Sequence, residues 1–110
     1  MQLVEQALVN IIGVKPAYMR PPFLDTGGQV LPTMQSMGYR VVTNDIDAGD
    51  WAGLTVDDSI GRFTEAGTDG DGHIPLMHEV YNTTVETLVP WIIGWAVEAG
   101  MQLVTVGKFS

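Results

Sequence analysis

Apolar residues at helical spacing alternate along this chain with short β-rich runs, and a glycine closes most of the helical stretches before the next run begins. That order constrains the fold more than any other feature, because helices interleaved with short strands pack most readily around a parallel sheet. Leu3, Val4, Ala7, Leu8, Ile11 and Ile12 recur at helical spacing, Gly13 stops the helix, and Tyr18 to Pro22 is an extended piece ended by Pro21-Pro22. Gly27-Gly28 open a second helical stretch in which Val30, Leu31, Met34 and Met37 share a face, and Gly38 closes it before a strand from Tyr39 to Thr43. A third helix is predicted from Val56 to Glu65, then a polar turn over residues 67–72 and a strand from His73 to His78. The last helix runs from Thr84 to Ala99 with Pro90 inside its pattern, and Gly100 leads to a strand from Gln102 to Val106. No repeat or linker interrupts the series, so residues 1–110 read as one α/β domain or one piece of a domain.

Charge narrows the partners. Five Lys and Arg against thirteen Asp and Glu, a formal net charge of −8, repel phosphate backbones and anionic surfaces, so neither nucleic acid nor a membrane is an expected partner. With 45% hydrophobic and 16% charged residues the chain has the make-up to bury a core. It has no cysteine, which removes disulfides and thiolate metal sites. The apolar stretch from Trp91 to Val97 is broken by Gly94 and falls short of the ~18 residues of a membrane span. The opening residues include Glu5 and no basic segment, so no signal peptide is expected within the chain. Asn82-Thr83-Thr84 is an N-glycosylation sequon, which matters only in a secretory pathway and is a tripeptide that also arises by chance.

Parallel α/β folds place chemistry just past the carboxyl ends of strands, and three clusters fall there. Arg20-Pro21-Pro22-Phe23 sets a guanidinium on rigid backbone, able to orient a carboxylate or hold an anion; the plainer reading is a surface arginine before a proline turn. Asp45-Ile46-Asp47-Ala48-Gly49-Asp50-Trp51 brings three acids and an indole after the strand that ends at Thr43; the plainer reading is a solvated acidic loop with its tryptophan packed on the core. Neither this stretch nor Asp69-Gly70-Asp71-Gly72 has the spacing of a calcium loop, and the latter reads as a turn. Leu76-Met77-His78-Glu79 puts an imidazole at a strand end, suited to acid–base work if a carboxylate fixes its tautomer, although a lone histidine there is more often structural. Arg20, Asp50 and His78 follow three successive predicted strands, and that joint arrangement outweighs each part.

Gly13-Val14-Lys15-Pro16 with Tyr18-Met19-Arg20-Pro21-Pro22-Phe23, then Asp47-x-x-Asp50-Trp51, then Leu76-x-His78 resemble, in order, the third, fourth and fifth motifs of carbohydrate esterase family 4, the polysaccharide deacetylases. Residues 24–28 and 101–107 are similar to fungal chitin deacetylases in particular, so the resemblance covers nearly the whole chain. It implies the second half of a distorted parallel β/α barrel. It also implies hydrolysis of the acetamide on chitin or related N-acetylglucosamine oligomers by a metal-activated water, with zinc or another divalent metal as cofactor, in a secreted or cell-wall protein. On this resemblance Arg20 orients the catalytic base, Asp50 tunes the acid histidine, and His78 protonates the leaving amine. Trp51 and Leu76 wall the acetate pocket, and the Phe23 amide helps hold the oxyanion.

The chain departs from the pattern in two ways. Phe23 stands where the family often has tyrosine, and Glu79 replaces the usual aspartate. The family's first two motifs, Thr-Phe-Asp-Asp and His-Ser/Thr-x-x-His, which supply the base and the metal triad, do not occur in residues 1–110. His73 and His78 are five apart and so fall on opposite faces of one strand, whereas catalytic zinc needs three converging ligands. No metal ligands are therefore assigned, and no tight zinc site is expected. The chain is expected to be a partial deacetylase domain, with Met1 an internal methionine or an imposed boundary and with little activity alone. Uncovered strand edges and helix faces would then favour self-association. A non-catalytic glycan-binding piece using Trp51, Phe23 and the acidic loop is the alternative, and a small α/β domain with an unrelated role is the third reading.

Overall fold

The structure, a computed structural model, describes residues 1–109 and divides into two units, Met1–Thr43 and the remainder from Asn44. In the first unit helix α1 spans Gln2–Ile12, and Gly13 ends it at φ 74°, its N–H returning to the Val9 carbonyl. A left-handed residue at this position is cheapest as glycine, so the stop signal works as the sequence implies. Strand β1 (Tyr18–Met19) and helix α2 (Val30–Ser36) lead to strand β2 (Arg40–Val41). The two strands pair in parallel, Tyr18 opposite Arg40 and Met19 opposite Val41. Of the four apolar residues expected on one face of α2, only Met34 is buried, and Leu31 is exposed. A three-way contact fastens α1 to the strands: the buried Tyr39 donates its hydroxyl to Glu5, and Lys15 bridges to Glu5 at 3.4 Å while lying over the Tyr39 ring. That hydrogen bond, with desolvation and the Glu5 charge, pushes the Tyr39 phenol up to about 12.

The structure corrects the sequence reading at three points. The acids do not trail from the strand at Val41: Ile46–Asp47 is a strand of its own, β3, paired in parallel with β4 (Pro75–Leu76), Ile46 opposite Pro75 and Asp47 opposite Leu76. The expected strands of five and six residues over 39–43 and 73–78 shrink to two residues each, because a strand extends only as far as a neighbouring ladder answers it. The expected last strand over residues 102–106 is not formed; 102–105 carry no ladder, and Val106–Phe109 turn into a short helix, α5. A β-rich composition does not supply the partner that a strand requires.

Helix α3 (Val56–Ala66) starts at a reciprocal capping box in which the Thr55 hydroxyl accepts from the Asp58 N–H and the Asp58 carboxylate accepts from the Thr55 N–H. The last helix is not uniform. Thr84–Leu88 are wound as a π-helix, with the Val89 N–H reaching the Thr84 carbonyl, before helix α4 continues over Val89–Glu98. Pro90 lacks an N–H, so a continuous α-helix would strand the carbonyl four residues earlier, and a π turn at this point relieves the mismatch. Ile46 and Ala48, alternate residues at β3, point into a core with Phe63 of α3 and Leu88 and Ile92 of the last helix. Trp95 meets Phe63 edge-on at 6.0 Å and stacks on Trp91 at 5.9 Å.

Candidate active site

The parallel register of β3 and β4 carries the chain out beside Leu76-Met77-His78 as Ala48-Gly49-Asp50, with the Ala48 N–H bonded to the Leu76 carbonyl at 3.1 Å. Helix α3 pins this segment. Ser59 Oγ donates to the Ala48 carbonyl at 2.7 Å, and Arg62 donates to the Asp47 carbonyl at 2.9 Å. Gly49 turns the chain at φ 72°, and a Cβ there would lie 2.4 Å from Leu54 Cδ1, so no other residue fits without displacing leucine. A short 3₁₀ turn over Asp50–Ala52 follows.

Asp50 is the hub. Its side chain is only 6% exposed, and its carboxylate accepts from the Trp51 N–H at 2.9 Å, the His78 N–H at 2.7 Å, His78 Nδ1 at 2.8 Å and Thr84 Oγ at 2.9 Å. Four donors fill the acceptor positions of an ionised carboxylate. Burial works to raise its pKa, but the hydrogen bonds from His78, Thr84 and Trp51 outweigh burial and hold Asp50 below its ordinary 3.8. A carboxylate in this state only accepts, so His78 Nδ1 carries a proton and Nε2, which makes no hydrogen bond within the unit among the described residues, is the nitrogen left for exchange. The His78 ring is also held edge-on to Tyr81, with centroids 6.2 Å apart.

Asp45 and Asp47 are also committed, so the stretch is not a solvated acidic loop. Asp47 accepts the Gly49 N–H at 2.8 Å, and both its oxygens accept Trp51 Nε1 at 3.1 Å. Trp51 does not pack back on the core; it is held at the surface with 59% of its area exposed. Asp45 accepts from the Ile74 N–H at 2.7 Å and from His73 Nδ1, while His73 Nε2 meets the Gly67 carbonyl at 3.0 Å. Both ring nitrogens of His73 thus face acceptors, and the hydrogen bond to Asp45 is the main cause of its raised pKa. Burial raises Asp45, but His73 and the Ile74 amide leave it below its ordinary 3.8.

Arg20 and Phe23 belong to the first unit. Arg20 is exposed and donates to the Thr43 carbonyl at 2.7 Å, which ties the end of β1 to the residues after β2. Phe23 and Leu24 both adopt left-handed backbone, φ 57° and 56°, and the Phe23 ring is fully exposed. Consecutive non-glycine residues in that region store strain of a kind found at functional sites. Leu76, opposite Asp47 in the ladder, is half-buried.

Asp50 and His78 are therefore brought together, past β3 and β4, which are consecutive and paired in parallel. Sequence reasoning missed this role of Thr84, whose hydroxyl completes the carboxylate's set of donors; the sequence showed it as the third residue of the sequon and the start of the last predicted helix. Asn82 itself is exposed. The reading also missed the Asp45–His73 pair, for which a separation of 28 positions leaves no local signal. The residues do not fit the metal that the motif resemblance implies. His73 and His78 bind separate carboxylates through Nδ1, and among the described residues no three His, Asp or Glu side chains converge on one point. Among those residues no helix is long and apolar enough to cross a membrane.

No family model matches the chain. It is 39% identical over 110 residues to a chitin deacetylase of Pestalotiopsis sp, an alignment that covers 97% of this chain and 36% of that protein. A chitin deacetylase of Arthroderma benhamiae is 33% identical over 112 residues, covering 98% and 30% respectively. The solved structure of the chitin deacetylase from Colletotrichum lindemuthianum superposes with a TM-score of 0.87 at 27% identity, over 99% of this chain and 51% of that one. These likenesses make this chain part of a polysaccharide deacetylase fold of carbohydrate esterase family 4. Within that class it is a homologue of fungal chitin deacetylases, spanning about a third of the length of the curated relatives named above.

Proposed function

We propose that this chain carries the leaving-group side of a deacetylase site acting on N-acetylglucosamine polymers such as chitin. The observation that carries the reading is the Asp50–His78 pair: a buried, four-fold bonded carboxylate fixes the ring so that Nε2 is the exchangeable nitrogen. A histidine held this way can protonate the amine as the C–N bond of the acetamide breaks. The roles implied for Arg20, the Phe23 amide, Trp51 and Leu76 belong to the same reading and rest on the motif resemblance. No step through a metal is assigned to these residues, and activity is expected to need the base and metal motifs that residues 1–110 do not contain. Secretion to where chitin lies follows from the same kinship.

The test is acetate release from chitin oligomers with a divalent metal added, by the chain alone and after mixing with a separately made segment holding the two missing motifs. Release only in the mixture, lost in His78→Ala, is the expected result. Release by the chain alone, or a mixture indifferent to His78→Ala, would overturn it. A second reading, sugar binding without turnover, is favoured by the exposed Trp51 face; saturable quenching of tryptophan fluorescence by the same oligomers, with no acetate from any combination, would establish it.

A further inference from the structure

Thr84 is 2% exposed, so its hydroxyl has no access to water and must find its partner inside the protein. Its partner is Asp50 Oδ2, the oxygen that also accepts the His78 N–H, while Oδ1 takes His78 Nδ1 and the Trp51 N–H. Three of the four donors come from residues adjacent to the carboxylate in the ladder or in sequence; Thr84 alone comes from the helical layer. It is also the first residue of the π-helical turn, whose carbonyl accepts the Val89 N–H, with Leu88 of the same turn buried in the core. The turn that accommodates Pro90 therefore begins at the residue that grips Asp50, and π turns of this kind recur at functional sites.

We infer that Thr84 is a positioning residue for the Asp50–His78 pair: its hydroxyl locks the rotation of the Asp50 carboxylate so that Oδ1 stays on His78 Nδ1 and Nε2 stays the proton-exchanging nitrogen. This rests on the proposed role of His78 but concerns the chain's own ionisation, so it can fail or stand independently of turnover. Without the hydroxyl, Oδ2 keeps one donor, the His78 N–H, so the carboxylate is held less firmly and the imidazole loses part of the constraint that selects its tautomer.

The experiment follows the Asp50 carboxyl carbon and the His78 ring nitrogens by NMR across pH in the full chain, for wild type, Thr84→Val, Thr84→Ala and Thr84→Ser, with backbone amide spectra as the check on folding. Thr84→Val is expected to raise the Asp50 titration midpoint by about one pH unit, the scale of one hydrogen bond to a charged group. It is also expected to give His78 nitrogen shifts of mixed tautomers, and Thr84→Ser to restore both signals. Should valine prevent folding, alanine gives the same readings without added bulk. Unchanged Asp50 and His78 signals in a folded valine or alanine variant would overturn the proposal. So would a serine variant displaced as far as they are, since the methyl group and not the hydroxyl would then be the cause.

Discussion

At the scale of single residues, the two features with the largest physical consequences are a charge and a backbone angle. Asp50 is buried among four donors, so Asp50→Asn keeps the shape but turns an NH2 group toward donors it cannot satisfy. The expected loss is about 1.5–3 kcal/mol, the range for hydrogen bonds to charged groups, read as a lower urea midpoint at unchanged slope. Loss of no more than an exposed substitution costs would show that the carboxylate is not held as described. Phe23 presents the opposite case. Its ring makes no buried contact and its φ is 57°, so Phe23→Gly removes strain without opening a cavity. It is expected to stabilise the chain by on the order of 1 kcal/mol, the cost of left-handed backbone for a residue with a Cβ. Destabilisation in the same urea assay would mean that the ring is used.

At the scale of elements, the site depends on a short strand pair and on the helix that grips the segment leaving β3. Ser59 and Arg62 of α3 hold the carbonyls of Ala48 and Asp47, and Gly49 lets the chain turn beneath Leu54. Gly49→Ala meets both a positive φ and a leucine side chain, so it is expected to cost on the order of 2 kcal/mol and to lower the thermal midpoint. Gly13→Ala, also at positive φ but with open space around its Cβ, is expected to cost less. Equal losses at the two positions would show that Leu54 yields freely. The legibility of elements followed the same division. Helices α1 and α3 were plain from apolar spacing and from Gly13, while β3 was hidden because two residues beside three acids carry no period. The final strand was expected from composition, and no neighbour came to pair with it.

At the scale of the whole molecule, the net charge of −8 and the carboxylates held below their ordinary pKa set the pH response. Asp45 and Asp50 contribute stability that is present above 3.8 and lost as pH falls through their lower folded values. His73 runs the other way. With its pKa raised in the folded chain, its contribution is full below 6.5 and is lost as pH rises through the higher folded value. Stability is therefore expected to be greatest between about pH 4 and pH 6.5 and to decline on both sides. Urea midpoints across pH should show the alkaline decline in wild type and a flatter limb in His73→Ala. An identical limb in both would remove His73 from the account. Leu3, Ile11 and Ile12 of α1 are exposed.

Local physics in the sequence determined roughly where helices lie and that the strands are parallel, but not where the strands begin and end. Periodicity, glycine stops and proline act over a few residues, so they mark helices, while Arg20, Asp50 and His78 were proposed from their motifs. Tertiary structure alone decided which acids and histidines pair, because Asp45 with His73 and Asp50 with His78 are each joined across 28 residues by strand register. It also converted a sequon threonine into a buried donor, since burial and the phase of a π turn depend on what packs against a helix and not on the tripeptide itself.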